Sequence, residues 1–162
     1  MVKRHIFYDV AFIMSNGVRL LALIILLLML IAGCQSPPDA AKVTQVIDGD
    51  TIIIEGDYRV RYIGIDTPEV YPEVEVFGIE AWQANRRLVE GKEVRLERDV
   101  SETDKYGRLL RYVYVDDVLV NAKLVEQGLA RAKAYPPDTK YQDYLEEMEA
   151  EAKGAGRGMW AK

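Results

Sequence analysis

One cysteine and one histidine are all that this 162-residue chain holds of the side chains that build zinc sites. A lone Cys34 excludes an internal disulfide framework and any cysteine-rich zinc site. His5, also alone, leaves no histidine-based triad and no multi-histidine metal centre. Any metal must therefore be held mostly by oxygen, which points to a hard cation such as Ca²⁺ or Mg²⁺. An excess of positive charge is missing as well. With 21 Lys+Arg against 26 Asp+Glu the net charge is −5, which argues against a broadly basic nucleic-acid binder but not against a local basic site. There is no internal repeat, and no low-complexity tract beyond one apolar run. The 49% apolar and 29% charged residues are those of a folded globular protein, long enough for one domain with a real core.

Leu20 to Ala32 is an unbroken apolar run of 13 residues, preceded by Arg19 and followed by Gly33-Cys34. A spanning helix needs about 20 such residues, so this run has the length of a signal-peptide core. Its ending, Leu30-Ile31-Ala32-Gly33-Cys34, resembles the bacterial lipobox, where small residues admit the signal peptidase and the cysteine thiol receives a diacylglycerol. The expectation is a signal peptide over 1–33, a lipid on Cys34, and an exported domain held at a membrane and facing outside the cytoplasm. An uncleaved N-terminal anchor is the alternative, and Met14 is a second candidate start. Gln35-Ser36-Pro37-Pro38-Asp39 is polar and proline-bearing, so 34–41 reads as a flexible tether and 42–162 as the ordered domain. Removing 1–33 takes away Lys3, Arg4, Arg19 and Asp9, leaving 18 basic against 25 acidic residues, or −7.

The domain opens with strands. Val43 to Ile47, Thr51 to Glu55 and Tyr58 to Ile65 are rich in Val, Ile, Thr and Tyr, and Gly56-Asp57 reads as the hairpin turn between the last two. Gly78 to Val89 turns helical, with Ala81, Ala84 and Leu88 on one face and Gly91 past the end. Strands follow at Glu93 to Arg98 and Leu109 to Val115, separated by the turn Asp104-Lys105-Tyr106-Gly107. Helices over Asn121 to Gln127 and Tyr141 to Lys153 finish the chain, the latter with Tyr141, Tyr144, Leu145 and Met148 in a stripe. This order predicts an α+β protein, a small closed barrel carrying helices.

Four clusters carry chemistry. Asp48-Gly49-Asp50-Thr51 lies between two strands; it is not an EF-hand loop, since Ile52 and Arg59 fall where ligands belong. Ile65-Asp66-Thr67-Pro68-Glu69 runs from a strand into a proline-restricted turn. Folding the hairpin at Gly56-Asp57 sets Asp50 opposite Ile63 with Asp66 just beyond, so two carboxylates converge where one hard cation fits. Arg61 is a cation in mid-strand, and Arg108 follows directly on a tight turn. Two guanidinium groups near a carboxylate-held cation form a phosphate clamp. Strand alternation sets Arg61 and Asp66 on opposite faces, so their convergence requires a twist or bulge near Gly64.

On VIDGDT (46–51), VRYIGIDTPE (60–69), GIEA (78–81), TDKYGR (103–108) and VNAKLVEQGLA (120–130), residues 42–160 resemble the thermonuclease (staphylococcal-nuclease-like) family. That resemblance implies a five-stranded OB barrel with three helices and a Ca²⁺-dependent endonuclease acting on DNA or RNA, single-stranded or frayed, as a monomer. It implies cleavage of the 5′-side P–O bond to leave 3′-phosphates. By motif position it gives Asp50 and Asp66 as carboxylate ligands of one Ca²⁺, with Thr67 binding through its backbone carbonyl. Glu69 becomes the general base, Arg61 and Arg108 the phosphate-binding arginines, and Lys105 and Tyr106 the border of the nucleotide pocket. Tyr135 becomes a second pocket tyrosine, although the Arg131 to Pro137 segment is one residue shorter than the family pattern. The alternative from another class is a noncatalytic OB module that binds single strands by stacking. Retention of every catalytic and acidic ligand position sets the enzyme apart from it.

Overall fold

Inward and outward residues alternate along the strands at 40–46, 58–62 and 93–97, and where the alternation slips in the first of these the strand bends. The computed structural model describes residues 36–161 together with Leu21, Leu23 and Ile24. The chain divides into two compact units, Met1–Ser36 and Pro37–Lys162. In the first, Leu21, Leu23 and Ile24 are helical and exposed and Ser36 is irregular; the rest of the expected signal segment, and Cys34, lie outside the described residues.

The second unit carries strands β1 (Ala40–Val46), β2 (Thr51–Ile54), β3 (Tyr58–Tyr62), β4 (Ile65–Asp66), β5 (Glu93–Glu97), β6 (Leu109–Val115), β7 (Val118–Leu119) and β8 (Arg131–Ala132). Its helices are α1 (Gly78–Val89), α2 (Val120–Glu126) and α3 (Gln142–Gly154), followed by a 3₁₀ turn at Gly158–Trp160. β1 begins at Ala40, two residues inside the stretch expected as tether. In β1, Ala41 and Val43 point inward and then the pattern skips to Val46. The slip is a bulge between Val43 and Gln45. It bends the strand so that its first half pairs with β5 and its second half with β2. Parallel pairing of β3 with β6 (Val60 with Leu109, Tyr62 with Arg111) closes β1, β2, β3, β6 and β5 into a five-stranded barrel with three helices. The α+β barrel expected from the element order is therefore the fold observed.

Ile52, Ile54, Val60, Tyr62, Val94 and Val113 fill the barrel, and Val89, Leu124 and Leu145 seal it from the helices. α1 spans the residues expected. Its buried stripe is Gly78, Ala81, Ala84, Asn85 and Val89, with Leu88 only half-buried at its edge. Small residues on that stripe let the helix lie close to the barrel, and the Trp82 indole donates to the Val46 carbonyl at 3.0 Å.

Two expectations are corrected. The β2–β3 loop holds three residues, Glu55-Gly56-Asp57, so Ile54 faces Tyr58 and Thr51 faces Arg61. Asp50 consequently lies opposite Tyr62, whose amide donates to the Asp50 carbonyl at 2.9 Å, rather than opposite Ile63. The strand expected to run from Tyr58 to Ile65 also stops at Tyr62. Gly64, at φ +77°, turns the chain there before β4 resumes. That turn is the break needed to bring Arg61 and Asp66 together. β7 and β8, each two residues long, carry no pattern in the sequence and exist through their partners β6 and β4.

Candidate active site

The loop leaving β1 places its acids through its own backbone. The Asp48 carboxylate accepts the Asp50 amide at 2.9 Å, and the Asp48 carbonyl accepts from the Asn85 side chain at 3.0 Å. Asp50 Oδ2 accepts three donors: the Thr67 amide and hydroxyl, each at 3.0 Å, and Arg61 Nη1 at 2.7 Å. The second arm of Arg61, Nη2, reaches Asp66 Oδ1 at 3.1 Å. Lys133 Nζ takes the remaining oxygen, Asp66 Oδ2, at 2.8 Å. Arg61 and Asp50 are both nearly closed off from solvent, their side chains 12% and 7% exposed.

Glu69 stands just beyond, on the loop between β4 and α1. Its amide donates to the Glu75 carboxylate at 3.0 Å, and the Glu75 amide donates back to the Glu69 carbonyl at 2.9 Å. Gly78 lies against the same carbonyl: a Cβ on it would come within 2.4 Å of that oxygen. On the far side, the turn before β6 folds around Asp104. Its Oδ1 accepts the amides of Tyr106 and Arg108, and its Oδ2 accepts Arg108 Nε at 2.7 Å. The exposed Tyr106 ring lies beneath both Lys105 and Arg108.

These groups line one open cleft of about 580 Å³. Asp48, Asp50, Arg61, Asp66 and Glu69 form one wall, and Lys105, Tyr106, Arg108 and Tyr135 the other. Barrel closure is what brings the walls together, because it registers Arg61 beside Leu110, two residues from Arg108. Of the residues singled out in the sequence, Thr67 alone among those described stands behind the wall, holding Asp50. Cys34 lies outside the described residues.

The electrostatics divide the cleft. Burial raises the Asp50 carboxyl above its ordinary range; Arg61 opposes this and Asp48 adds to it. Glu69 is raised by partial burial and by the charge of Asp50, with Arg61 offsetting part of the effect. Asp104 behaves in the opposite way. Burial alone would push it up, but hydrogen bonds from Arg108 and the neighbouring amides hold it below the usual carboxylate range. One wall is thus short of positive charge, while the other presents a guanidinium and an ammonium around an aromatic face. Such a cleft suits a phosphodiester with its base on the tyrosine side and a cation on the acid side.

Sequence reasoning missed several residues that build the site. Asn85, wholly buried, accepts from the Tyr62 hydroxyl at 2.9 Å while holding the Asp48 carbonyl. Asn121, equally buried, donates to the Ile63 carbonyl at 2.8 Å and accepts the Val113 amide, fixing the turn at Gly64. Asp138 accepts the amides of Val100 and Ser101 at the base of the cleft. A polar residue on the apolar stripe of a helix was the available signal for both asparagines. Nothing in the sequence pointed to Lys133.

Barrel closure and the acid–arginine cleft on its flank define an OB-fold protein with a site of hydrolytic character. Residues 59–162 match the family model described as staphylococcal nuclease homologue, and the chain belongs to that family. It is 44% identical over 126 residues to the thermonuclease of Staphylococcus hyicus, covering 74% of this chain and 75% of that protein. The thermonuclease of Staphylococcus intermedius is 45% identical over the same coverage. Endonuclease YncB of Bacillus subtilis is 42% identical over 126 residues, 73% of this chain and 60% of its own.

Proposed function

We propose that this chain is a nuclease that hydrolyses phosphodiester bonds of DNA or RNA with one Ca²⁺ ion, acting within a chain rather than only at its ends. One observation carries the reading. Arg61 ties Asp50 to Asp66 in the same cleft that Glu69, Arg108 and the exposed Tyr106 line. Membership of a family whose relatives are named thermonuclease and endonuclease supports it.

The donor set fits a hard cation. Asp48, Asp50, Asp66 and Glu69 crowd one wall against Arg61 and Lys133, and burial already strains the charge on Asp50. Among the described residues no three acid, histidine or cysteine side chains cage an ion by themselves. By likeness to the family, Asp50, Asp66 and the Thr67 carbonyl would hold it, with water completing the shell. When bound, Ca²⁺ supplies Lewis-acid polarisation of a phosphoryl oxygen. Arg61 and Arg108 bind the non-bridging oxygens through paired donors and stabilise the charge that grows on them. Glu69, exposed at the cleft and raised in proton affinity by partial desolvation and by the charge of Asp50, accepts a proton from the attacking water at its carboxylate. Tyr106 and Tyr135, 72% and 41% exposed, give flat faces for bases that must already be unpaired, and Lys105 meets a neighbouring phosphate. This favours single-stranded or frayed substrate and, by likeness to the family, 3′-phosphate products. All of these side chains come from one protomer, so a monomer suffices.

The same proposal holds the enzyme outside the cytoplasm, on a lipid carried by Cys34. Its support is the 13-residue apolar run ending in the lipobox-like Leu-Ile-Ala-Gly-Cys. Cleavage of single-stranded DNA and RNA with Ca²⁺, and again with chelator, tests the activity; failure to cleave either strand with Ca²⁺ overturns it. Loss of acyl labelling in a Cys34→Ala precursor tests the anchor, and unaltered processing of that precursor overturns it.

A further inference from the structure

Asp66 has its carboxylate oxygens held by cations from two directions. Antiparallel pairing of β4 with β8 sets Asp66 opposite Arg131 and Ile65 opposite Ala132. The Lys133 amide extends this pairing by donating to the Gly64 carbonyl at 2.9 Å. Arg131 is thus the direct cross-strand neighbour, but its guanidinium lies over the Trp160 ring, 5.1 Å from the centroid. Lys133, two residues on and so diagonal to Asp66 on the same face, takes the carboxylate instead, with Nζ 2.8 Å from Oδ2. Arg61 holds Oδ1.

The two cations differ in how easily they can leave. Arg61 is closed off and bound to two acids, whereas the Lys133 side chain is 50% exposed and its partner 35%. An ion pair so exposed contributes little and exchanges readily for water. The Tyr135 ring, with its centroid 5.3 Å from Nζ, gives the ammonium a second place to rest at the cleft wall.

We infer that Lys133 is a built-in counter-cation at Asp66, which an entering divalent ion must displace, so that this lysine sets the metal affinity of the site. It acts through Asp66 and is a positioning residue, not a catalytic one. The inference rests on the metal reading proposed above, and its test separates the two. Ca²⁺ is titrated calorimetrically into the full chain as wild type, Lys133→Met, Lys133→Arg and Lys140→Met. The last removes the same charge from a lysine that pairs with Glu97 instead. Lys133→Met should bind Ca²⁺ about threefold to fivefold more tightly than wild type, the range expected for release from one exposed ion pair. Lys133→Arg and Lys140→Met should not tighten binding. Tightening is opposite in sign to what damage to the site would produce. If Lys133→Met binds Ca²⁺ like wild type, or no more tightly than Lys140→Met, the counter-cation role is wrong. If a folded wild type and all three variants bind no Ca²⁺, the metal reading itself falls.

Discussion

Arg61 donates to Asp50 with one arm and to Asp66 with the other, so a single guanidinium spaces the two acids proposed to hold the ion. Lysine cannot make both bonds, because an ammonium lacks the planar fork. Arg61→Lys should therefore lower the single-turnover rate at saturating nucleic acid by about 10²–10³-fold and also lower the thermal midpoint. Arg108 is more exposed and, among the described residues, pairs with a single acid, Asp104, so Arg108→Lys should slow the same step with little change in midpoint. Near-native single-turnover rates in both variants would reduce the arginines to ordinary groove charges. Glu69→Gln should cost about 10²-fold in rate with the fold intact, the usual order for a lost acid–base group. A variant cleaving at the wild-type rate would take Glu69 out of the mechanism.

Between elements, the position of Glu69 depends on where α1 begins. Gly78 is the first residue of that helix, and its missing side chain leaves room for the Glu69 carbonyl. Alanine is the better helix former, so Gly78→Ala should keep its helical circular dichroism while pushing the 69–77 loop aside. A displacement of about 1 Å at a catalytic group costs on the order of 10²-fold, and initial rates should show a loss of that order. Unchanged rates would mean that the loop adapts without moving Glu69. The helix itself was legible from end to end in the sequence, because its apolar spacing is local. The β2–β3 register was not. Glu55-Gly56-Asp57 and a two-residue Gly56-Asp57 turn read alike until the strands are paired, and one residue of difference moves every cross-strand partner.

For the molecule as a whole, Glu97 joins the barrel to Lys140 and Tyr141, the residues that lead into α3. Partial burial would raise its carboxyl, but hydrogen bonds from Lys140, Tyr141 and Arg95 hold it below the ordinary value. A carboxyl depressed by folding adds stability above its unfolded pKa of about 4.3 and loses that contribution as pH falls through the folded value. Urea midpoints of the wild type should fall as pH drops below about 5. Glu97→Gln should be less stable at pH 7 and decline less steeply on acidification; a parallel decline would show that Glu97 contributes nothing. Ca²⁺ should raise the thermal midpoint and chelator should reverse it, since a ligand of the native state at 100 times its Kd adds about 2.7 kcal/mol. A midpoint indifferent to Ca²⁺ would count against a resident ion.

Local pattern along the chain is enough for the five barrel strands, the three helices and the acids and arginines that line the cleft. Each of these is written in short-range form: period-two and period-3.6 patterns, turn residues, and acids and arginines at fixed motif positions. Which of those groups meet depends on how the chain closes on itself. The turn at Gly64, which Asn121 fixes from 58 residues away, sets Arg61 between Asp50 and Asp66, and the parallel closure of β3 on β6, segments distant in the chain, brings Arg108 across the cleft from them. Asn85 and Asn121 acquire their roles only when α1 and α2 pack on the barrel and bury their amides beside unpaired backbone groups. Lys133 reaches Asp66 across 67 residues of sequence through a two-residue strand that no local pattern announces. Pairings of that kind follow from chain closure in three dimensions, and a one-dimensional pattern has no means of recording them.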